Sequence, residues 1–203
     1  MRPLVIATRN AHKAEEIRAV LGGGFRYVTL RDLPGAPEVA EDGRTFADNA
    51  RLKAAGLAAW LRCRPDAGPE AWVLADDSGL EVDALGGAPG VKSARFAADE
   101  LGVPGNAPDA ANNAKLLRLL ADAPAARRNA RFRCALALTG DGVDRVFEGA
   151  CEGRIGFAPR GAHGFGYDPL FLPDDAGGEK TFAELGEAEK NRISHRARAL
   201  ARL

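Results

Sequence analysis

Between residues 131 and 151 the side chains follow a pattern that only a pair of antiparallel strands uses well. Phe132, Cys134, Leu136 and Leu138 alternate with Arg131, Arg133, Ala135 and Ala137, and Gly140-Asp141-Gly142 then leads into Val143 to Cys151. A period of two sends one set of side chains to a core, and a glycine-flanked turn returns the second strand beside the first. The N-terminus requires a different connection. Leu4 to Ala7 reads as a buried strand and Thr8-Arg9-Asn10 as a loop; Ala14, Ile17, Val20 and Leu21 then share one face of a helix that Gly22-Gly23-Gly24 stops, before a second strand at Arg26 to Leu30. A chain holding both a hairpin and a strand-helix-strand crossover folds as α/β around a mixed sheet with flanking helices.

The remaining elements fit that frame. Pro34 to Gly43 is a long loop of the kind that usually carries function in a compact domain, and Thr45 caps a helix to about Leu61. Arg62 to Glu70, with two prolines and a glycine, reads as a surface connection. Ala71-Trp72-Val73-Leu74 is a strand expected to stop at Ala75-Asp76-Asp77-Ser78-Gly79-Leu80, since Asp, Ser and Gly are turn formers. A glycine-rich loop spans Gly86 to Gly90, and a helix from Asp109 to Leu120 has Asp109 as its cap. The last helix has Thr181 and Glu184 as a capping box, with Ile193, Ala197 and Leu200 along one face.

Composition narrows the function. Cys63, Cys134 and Cys151 are odd in number and scattered, which disfavours a disulfide framework or a zinc site and fits reduced cytoplasmic thiols. No run approaches the ~18 to 20 apolar residues of a membrane span, so a soluble cytoplasmic protein without membrane contact is expected. Formal net charge is zero, so no broad field for nucleic acid exists and any phosphate recognition is local. Only six of the 28 basic residues are Lys, which draws attention to where a compact ammonium is used in place of a guanidinium.

Two adjacent carboxylates at a strand end, Asp76 and Asp77, suit Mg²⁺, which binds through one or two carboxylates plus waters and substrate phosphates; an ordinary turn explains them equally. Thr8, Asn10 and Lys13 enter a helix N-terminus, where free N–H groups favour an anion, although Asn10 as a plain cap and Lys13 as a solvated lysine is the competing reading. Glu41 or Asp42 can bring a further carboxylate, and Lys53 is either a second phosphate contact or a snorkelling surface lysine. In Gly164-Phe165-Gly166-Tyr167-Asp168-Pro169, the rings suit stacking on a nucleobase and Asp168 suits its N–H groups, unless the rings fill the core. Lys190 precedes Ser194-His195-Arg196 on the terminal helix. Neighbouring helical positions diverge by roughly 100°, so His195 or Arg196 is expected to face solvent or a cleft.

The order of these motifs carries more than any one of them. Thr-x-Asn-x-x-Lys, Glu-Asp-Gly-x-Thr-Phe-x-x-Asn-Ala-x-x-Lys, Ala-Asp-Asp-Ser-Gly-Leu, Gly-Gly-Ala-Pro-Gly-Val-x-Ser-Ala-Arg, Gly-Phe-Gly-Tyr-Asp-Pro and Ser-His-Arg follow one another from Thr8 to Arg196. The chain thereby closely resembles the inosine triphosphate pyrophosphatase family, the Ham1-like dITP/XTP nucleoside-triphosphate diphosphatases. The resemblance implies a single ITPase-like domain over residues 1–203, elongated and two-lobed around a long mixed β-sheet with a central nucleotide cleft, in a homodimer. It implies Mg²⁺-dependent hydrolysis of the non-canonical purine triphosphates dITP, ITP and XTP to monophosphate and pyrophosphate. By the same resemblance, Thr8, Arg9, Asn10, Ala11, His12, Lys13 and Lys53 meet the triphosphate. Asp77 is catalytic base and metal ligand, with Glu41 and Asp76 as further ligands; Ser78, Phe165, Gly166, Tyr167, Asp168, Lys190, His195 and Arg196 hold the nucleotide. Two departures stand out: His163 occupies a place where many relatives have glycine, and Arg62 to Glu70 is longer than usual.

On this reading a carboxylate near the metal activates water to attack the α-phosphorus while lysines hold the leaving pyrophosphate. Donors from His195, Arg196 or backbone N–H groups suit a 6-oxo purine and reject adenine. A Maf-like pyrophosphatase, a phosphomonoesterase and a non-catalytic nucleotide-binding regulator are the rivals.

Overall fold

A computed structural model describes residues 2–64 and 71–203, so most of the expected surface connection Arg62 to Glu70 lies outside the described residues. The N-terminal run forms β1 (Pro3–Ile6), α1 (Ala11–Leu21) and β2 (Arg26–Thr29). The crossover makes β1 and β2 parallel, with Leu4 opposite Tyr27 and Ile6 opposite Thr29. Asn10 Oδ1 accepts from the Lys13 amide at 3.2 Å and so caps α1, which buries Ala14 and Ile17. Thr45 does the same for α2 (Phe46–Arg62), its hydroxyl accepting from the Asp48 amide at 3.1 Å.

The next strand departs from expectation. β3 spans Trp72–Val82 and passes straight through the acidic pair. Leu4, Val5 and Ile6 pair in parallel with Trp72, Val73 and Leu74, and the Ala7 amide donates to Leu74 O at 2.8 Å. It is therefore β1 that ends beside Asp76 and Asp77. The turn propensity of Ser78-Gly79 is overridden because Leu80 and Val82 must stay extended to reach full burial.

After β3 come α3 (Ala98–Leu101) and α4 (Asp109–Leu119). Pro108 occupies the cap position of α4, and Asp109 sits in its first turn with its carboxylate engaged elsewhere. The hairpin is longer than its alternating core: β4 is Asn129–Gly140 and β5 is Val143–Ile155. Asp141 and Gly142 join them with φ of 51° and 74°, the paired positive values of a two-residue hairpin turn. β6 (Phe171–Pro173) pairs antiparallel with β5, completing a mixed sheet of order β2-β1-β3-β4-β5-β6.

The C-terminus forms two short helices where one was expected, α5 (Glu187–Ile193) and α6 (His195–Leu200). Ser194, with φ −65° and ψ 155°, takes the extended backbone that a serine favours just ahead of a helix. The Thr181 and Glu184 capping box is present, but it closes the single 3₁₀ turn Phe182–Glu184.

The chain divides into two compact units. Unit one comprises Met1–Asp77, Cys134–Gly149 and Arg196–Leu203, and unit two Ser78–Arg133 and Ala150–His195. The core of unit one includes Leu4, Ile6, Ile17, Leu74, Leu136 and Phe147. That of unit two includes Leu80, Leu116, Phe132, Tyr167, Phe171 and Phe182, with Phe132 and Phe171 packed edge to face at 4.7 Å.

Candidate active site

Because β3 stays regular, Asp76 and Asp77 project to opposite faces and meet different partners within unit one. Lys13 Nζ donates to Asp76 Oδ1 at 2.5 Å, Arg196 Nε to Oδ2 at 2.8 Å and Cys134 Sγ to Oδ2 at 3.3 Å. Arg196 also pairs with Glu16. Burial works to raise the Asp76 pKa, but Arg196 and then Lys13 outweigh it and hold the carboxyl well below its usual range. At 1 % exposed, Arg196 lies inside unit one. Because the helix breaks at Ser194, the expected divergence of neighbouring helical positions does not apply: His195 and Arg196 are both buried, and neither faces solvent.

On the other face, Lys53 Nζ donates to Asp77 Oδ1 at 2.8 Å and to Glu41 Oε2 at 3.1 Å, and Asn49 Nδ2 donates to Asp77 Oδ2 at 3.3 Å. The Glu41 and Asp77 carboxyls also share a hydrogen bond. Burial pushes Asp77 up to about 6, more than Lys53 and Lys13 bring it down. Glu41 is also raised by burial, yet Lys53 and the hydrogen bond to Asp77 leave it net lowered. When the pair holds a proton, as pH falls through about 6, it resides on Asp77 and is donated to Glu41. Lys53, despite the opposing effect of burial, is held charged by Asp77 and then Glu41. Asp42 is exposed, in contrast to half-buried Glu41.

The N-terminal loop is ordered by its own side chains. Thr8 Oγ1 accepts from the Asn10 amide at 3.1 Å, and Arg9 Nη2 donates to Ala36 O at 3.0 Å. Ala11 opens α1, and exposed His12 lies 3.8 Å from Glu15. Asn10 is thus a cap, whereas Lys13 is a buried-acid partner and not a solvated lysine. Thr8 to Ala11 line a hollow of about 220 Å³ with Arg18, Arg31 and Asp32.

Unit two holds the second cluster. Lys190 Nζ donates to Asp168 Oδ2 at 2.6 Å, the Phe165 amide donates to the same oxygen at 2.9 Å, and the ammonium lies 4.9 Å from the centre of the Phe165 ring. Gly164 has φ of 76°, and a Cβ there would fall 2.0 Å from Asp168 Oδ2, so only glycine fits. Tyr167 is packed in the core with its hydroxyl donating to Ser93 O at 2.8 Å; of the two rings in this motif, Phe165 keeps a partly exposed face. His195 stacks on Phe132 with ring centres 4.8 Å apart, and partly exposed Ser78 begins the unit-two portion of β3. His163 is exposed, its amide donating to Ala183 O at 3.1 Å.

Asn49, Glu16, Cys134 and Asn113 were not expected among the functional residues, and Asp109 was expected only as a helix cap. Helical spacing held a signal for four of them: Asn49 and Lys53, and Asp109 and Asn113, are four apart, while Lys13 and Glu16 are three apart. Cys134 had none, because its role depends on where β4 lies beside β3.

In unit one a base-like carboxyl is paired with a second acid and a lysine, a set suited to phosphate chemistry; in unit two an aromatic ring stands with a carboxylate and a lysine, a set suited to an aromatic ligand. Residues 4–203 match the Ham1 family, and the chain belongs to that family. It is 51 % identical to the dITP/XTP pyrophosphatase of Opitutus terrae, over 98 % of this chain and 96 % of that protein. With the dITP/XTP pyrophosphatase of Geobacillus kaustophilus the identity is 50 %, over 100 % and 93 %. The solved structure of a HAM1 protein from Coxiella burnetii superposes with a TM-score of 0.80 at 36 % identity, covering 100 % of this chain and 96 % of that one.

Proposed function

We propose that this protein is a nucleoside-triphosphate diphosphatase that hydrolyses dITP, ITP and XTP to the monophosphate and pyrophosphate with Mg²⁺. The observation that carries the reading is the Glu41, Asp77 and Lys53 group. Two half-buried or buried carboxyls share one ammonium, so one negative charge is left over, which a proton on Asp77 offsets only below about pH 6. A divalent cation can take the place of that proton. Glu41 and Asp77 fit Mg²⁺ in number and hardness, the other positions being left to water and phosphate oxygens. Asp76 is assigned a different task, since its carboxylate is occupied by Lys13, Arg196 and Cys134.

Mg²⁺ when bound supplies neutralisation of phosphate charge. Asp77, whose protonated form burial favours in the metal-free site, takes the proton from the attacking water. Lys53 and Lys13 are fixed by carboxylates on β3, so their charges are preorganised toward the triphosphate at little reorganisation cost. In unit two, Phe165 stacks on the base, while Asp168 and Lys190 set its polar edge. Support for dITP and XTP comes from the relatives at 50 to 51 % identity, which are dITP/XTP pyrophosphatases; ITP follows from the shared hypoxanthine base.

The reading includes a homodimer, as the resemblance implies, and a cytoplasmic location, which three cysteines outside any disulfide favour. No helix of the described residues is long and apolar enough to cross a membrane. The test is turnover of ITP, XTP, GTP and ATP with Mg²⁺, separating pyrophosphate from orthophosphate. Preference for ITP and XTP with pyrophosphate as product is expected; orthophosphate from every substrate would overturn the proposal.

A further inference from the structure

The Gly166 peptide is held on both sides by one helix. Asp109 Oδ2 accepts from the Gly166 amide at 2.7 Å, and Asn113 Nδ2 donates to the Gly166 carbonyl at 2.9 Å. Both residues lie on α4, four positions apart, and so share a face. Gly166 sits between Phe165 and Asp168, in the loop assigned above to the nucleobase. The same helix also fixes the neighbouring segment: Asn112 bonds Ala97 N, Ala94 O and Ala107 O. Tyr167 is anchored in turn to Ser93 O.

Asn113 is buried, and its Oδ1 has no partner among the described residues. An orphaned buried acceptor is a cost that a leucine of similar size would not carry. What the side chain contributes against that cost is its bond to Gly166. We propose that Asp109 and Asn113 are positioning residues for nucleobase selection, acting through Gly166 to set where the Phe165 ring and the Asp168 carboxylate stand. This rests on the base-pocket reading of the Gly164 to Asp168 loop. Neither residue touches the base. Each removes one freedom of a loop that contains two glycines with positive φ, Gly164 at 76° and Gly166 at 63°.

The experiment compares Asn113→Leu, Asp109→Ala and Asp109→Asn with Asp168→Asn as reference. For each, kcat and KM are measured on ITP and GTP, with the inhibition constant of inorganic triphosphate and the melting temperature. Asn113→Leu and Asp109→Ala are expected to raise KM for ITP about tenfold, the scale of one lost hydrogen bond to a positioned group, and to narrow the ITP to GTP ratio. Their kcat stays within about twofold, triphosphate inhibits as before, and Asn113→Leu melts no lower than the parent. Asp109→Asn, which keeps an acceptor for Gly166 N, recovers most of the selection. If Asp168→Asn shifts the ratio and Asn113→Leu does not, the inference falls while the base pocket stands. If Asp168→Asn leaves the ratio unchanged, the base pocket falls and the inference with it. Parallel loss of kcat, triphosphate inhibition and melting temperature in Asn113→Leu and Asp109→Ala would make the pair merely structural.

Discussion

Replacing Asp77 by Asn should abolish turnover and at the same time make the metal-free protein more stable. The charged form of Asp77 is costlier in the folded state than in water, since its pKa rises from 3.8 to about 6 even with Lys53 2.8 Å away. Each pKa unit is worth about 1.4 kcal/mol, so the ionised carboxylate costs about 3 kcal/mol at neutral pH. Asn resembles the protonated acid: it is neutral, accepts from Lys53 and donates to Glu41. It forfeits the 3.3 Å contact from Asn49, worth about 1 kcal/mol, which leaves a net gain of about 2 kcal/mol. For a chain of this length that is about 4 to 8 °C in Tm. The gain also has a pH signature. Below the unfolded pKa of 3.8 both states hold the proton and the two proteins differ little from this source. As pH rises from there to about 6, the unfolded parent gives up its proton while the folded parent retains it, so the parent loses stability relative to the variant; above 6 the gap is constant. Thermal melts of both proteins with chelator at pH 4 and pH 7.5 check this. A variant that melts lower than the parent at pH 7.5, or a gap equal at both pH values, would refute the reasoning.

Other perturbations separate the two acids and the two clusters. Arg196→Met should destabilise by about 3 to 5 kcal/mol, because it leaves Asp76 and Glu16 without their guanidinium in a buried setting; denaturant melts that barely move would contradict it. Asp76, whose pKa is depressed, contributes stability that is present above its unfolded value and lost only as pH falls through the much lower folded value. Asp76→Asn should therefore lose its deficit relative to the parent at strongly acidic pH, as pH-dependent melts will show. Phe165→Ala should raise KM for ITP by about 1 to 3 kcal/mol of lost stacking and leave inhibition by inorganic triphosphate unchanged, as competition kinetics can determine.

Much of the fold is legible in the chain because local rules and burial agree. Asn10 and Thr45 cap their helices as their residue types suggest, and the alternation of Phe132 to Leu138 marks a real strand. The expectations that failed did so where local preference conflicts with distant packing. Ser78 and Gly79 read as a turn, yet the cores on either side keep β3 extended. Ile193, Ala197 and Leu200 read as one helical face, yet Ser194 interrupts it, and this is what lets His195 stack on Phe132 while Arg196 reaches Asp76.

The residue types of the site were visible, but their pairing was not. Asp76 and Asp77 are neighbours in sequence with opposite electrostatic fates, and only the position of α1, which brings Lys13, and of α2, which brings Asn49 and Lys53, separates them. The Asp109 and Asn113 hold on Gly166 spans 57 and 53 positions of the chain, a separation that no local pattern reports.

The phosphorus product of a single turnover tests the assignment of the site most directly. With Mg²⁺ and XTP or dITP, rapid quench followed by ³¹P spectroscopy should show monophosphate and pyrophosphate in equal amounts, with no diphosphate nucleotide and no orthophosphate. Nucleoside diphosphate with orthophosphate would mean cleavage of the β–γ bridge, and the assignment of Asp77, Glu41, Lys53 and Lys13 to α-phosphorus chemistry would be wrong.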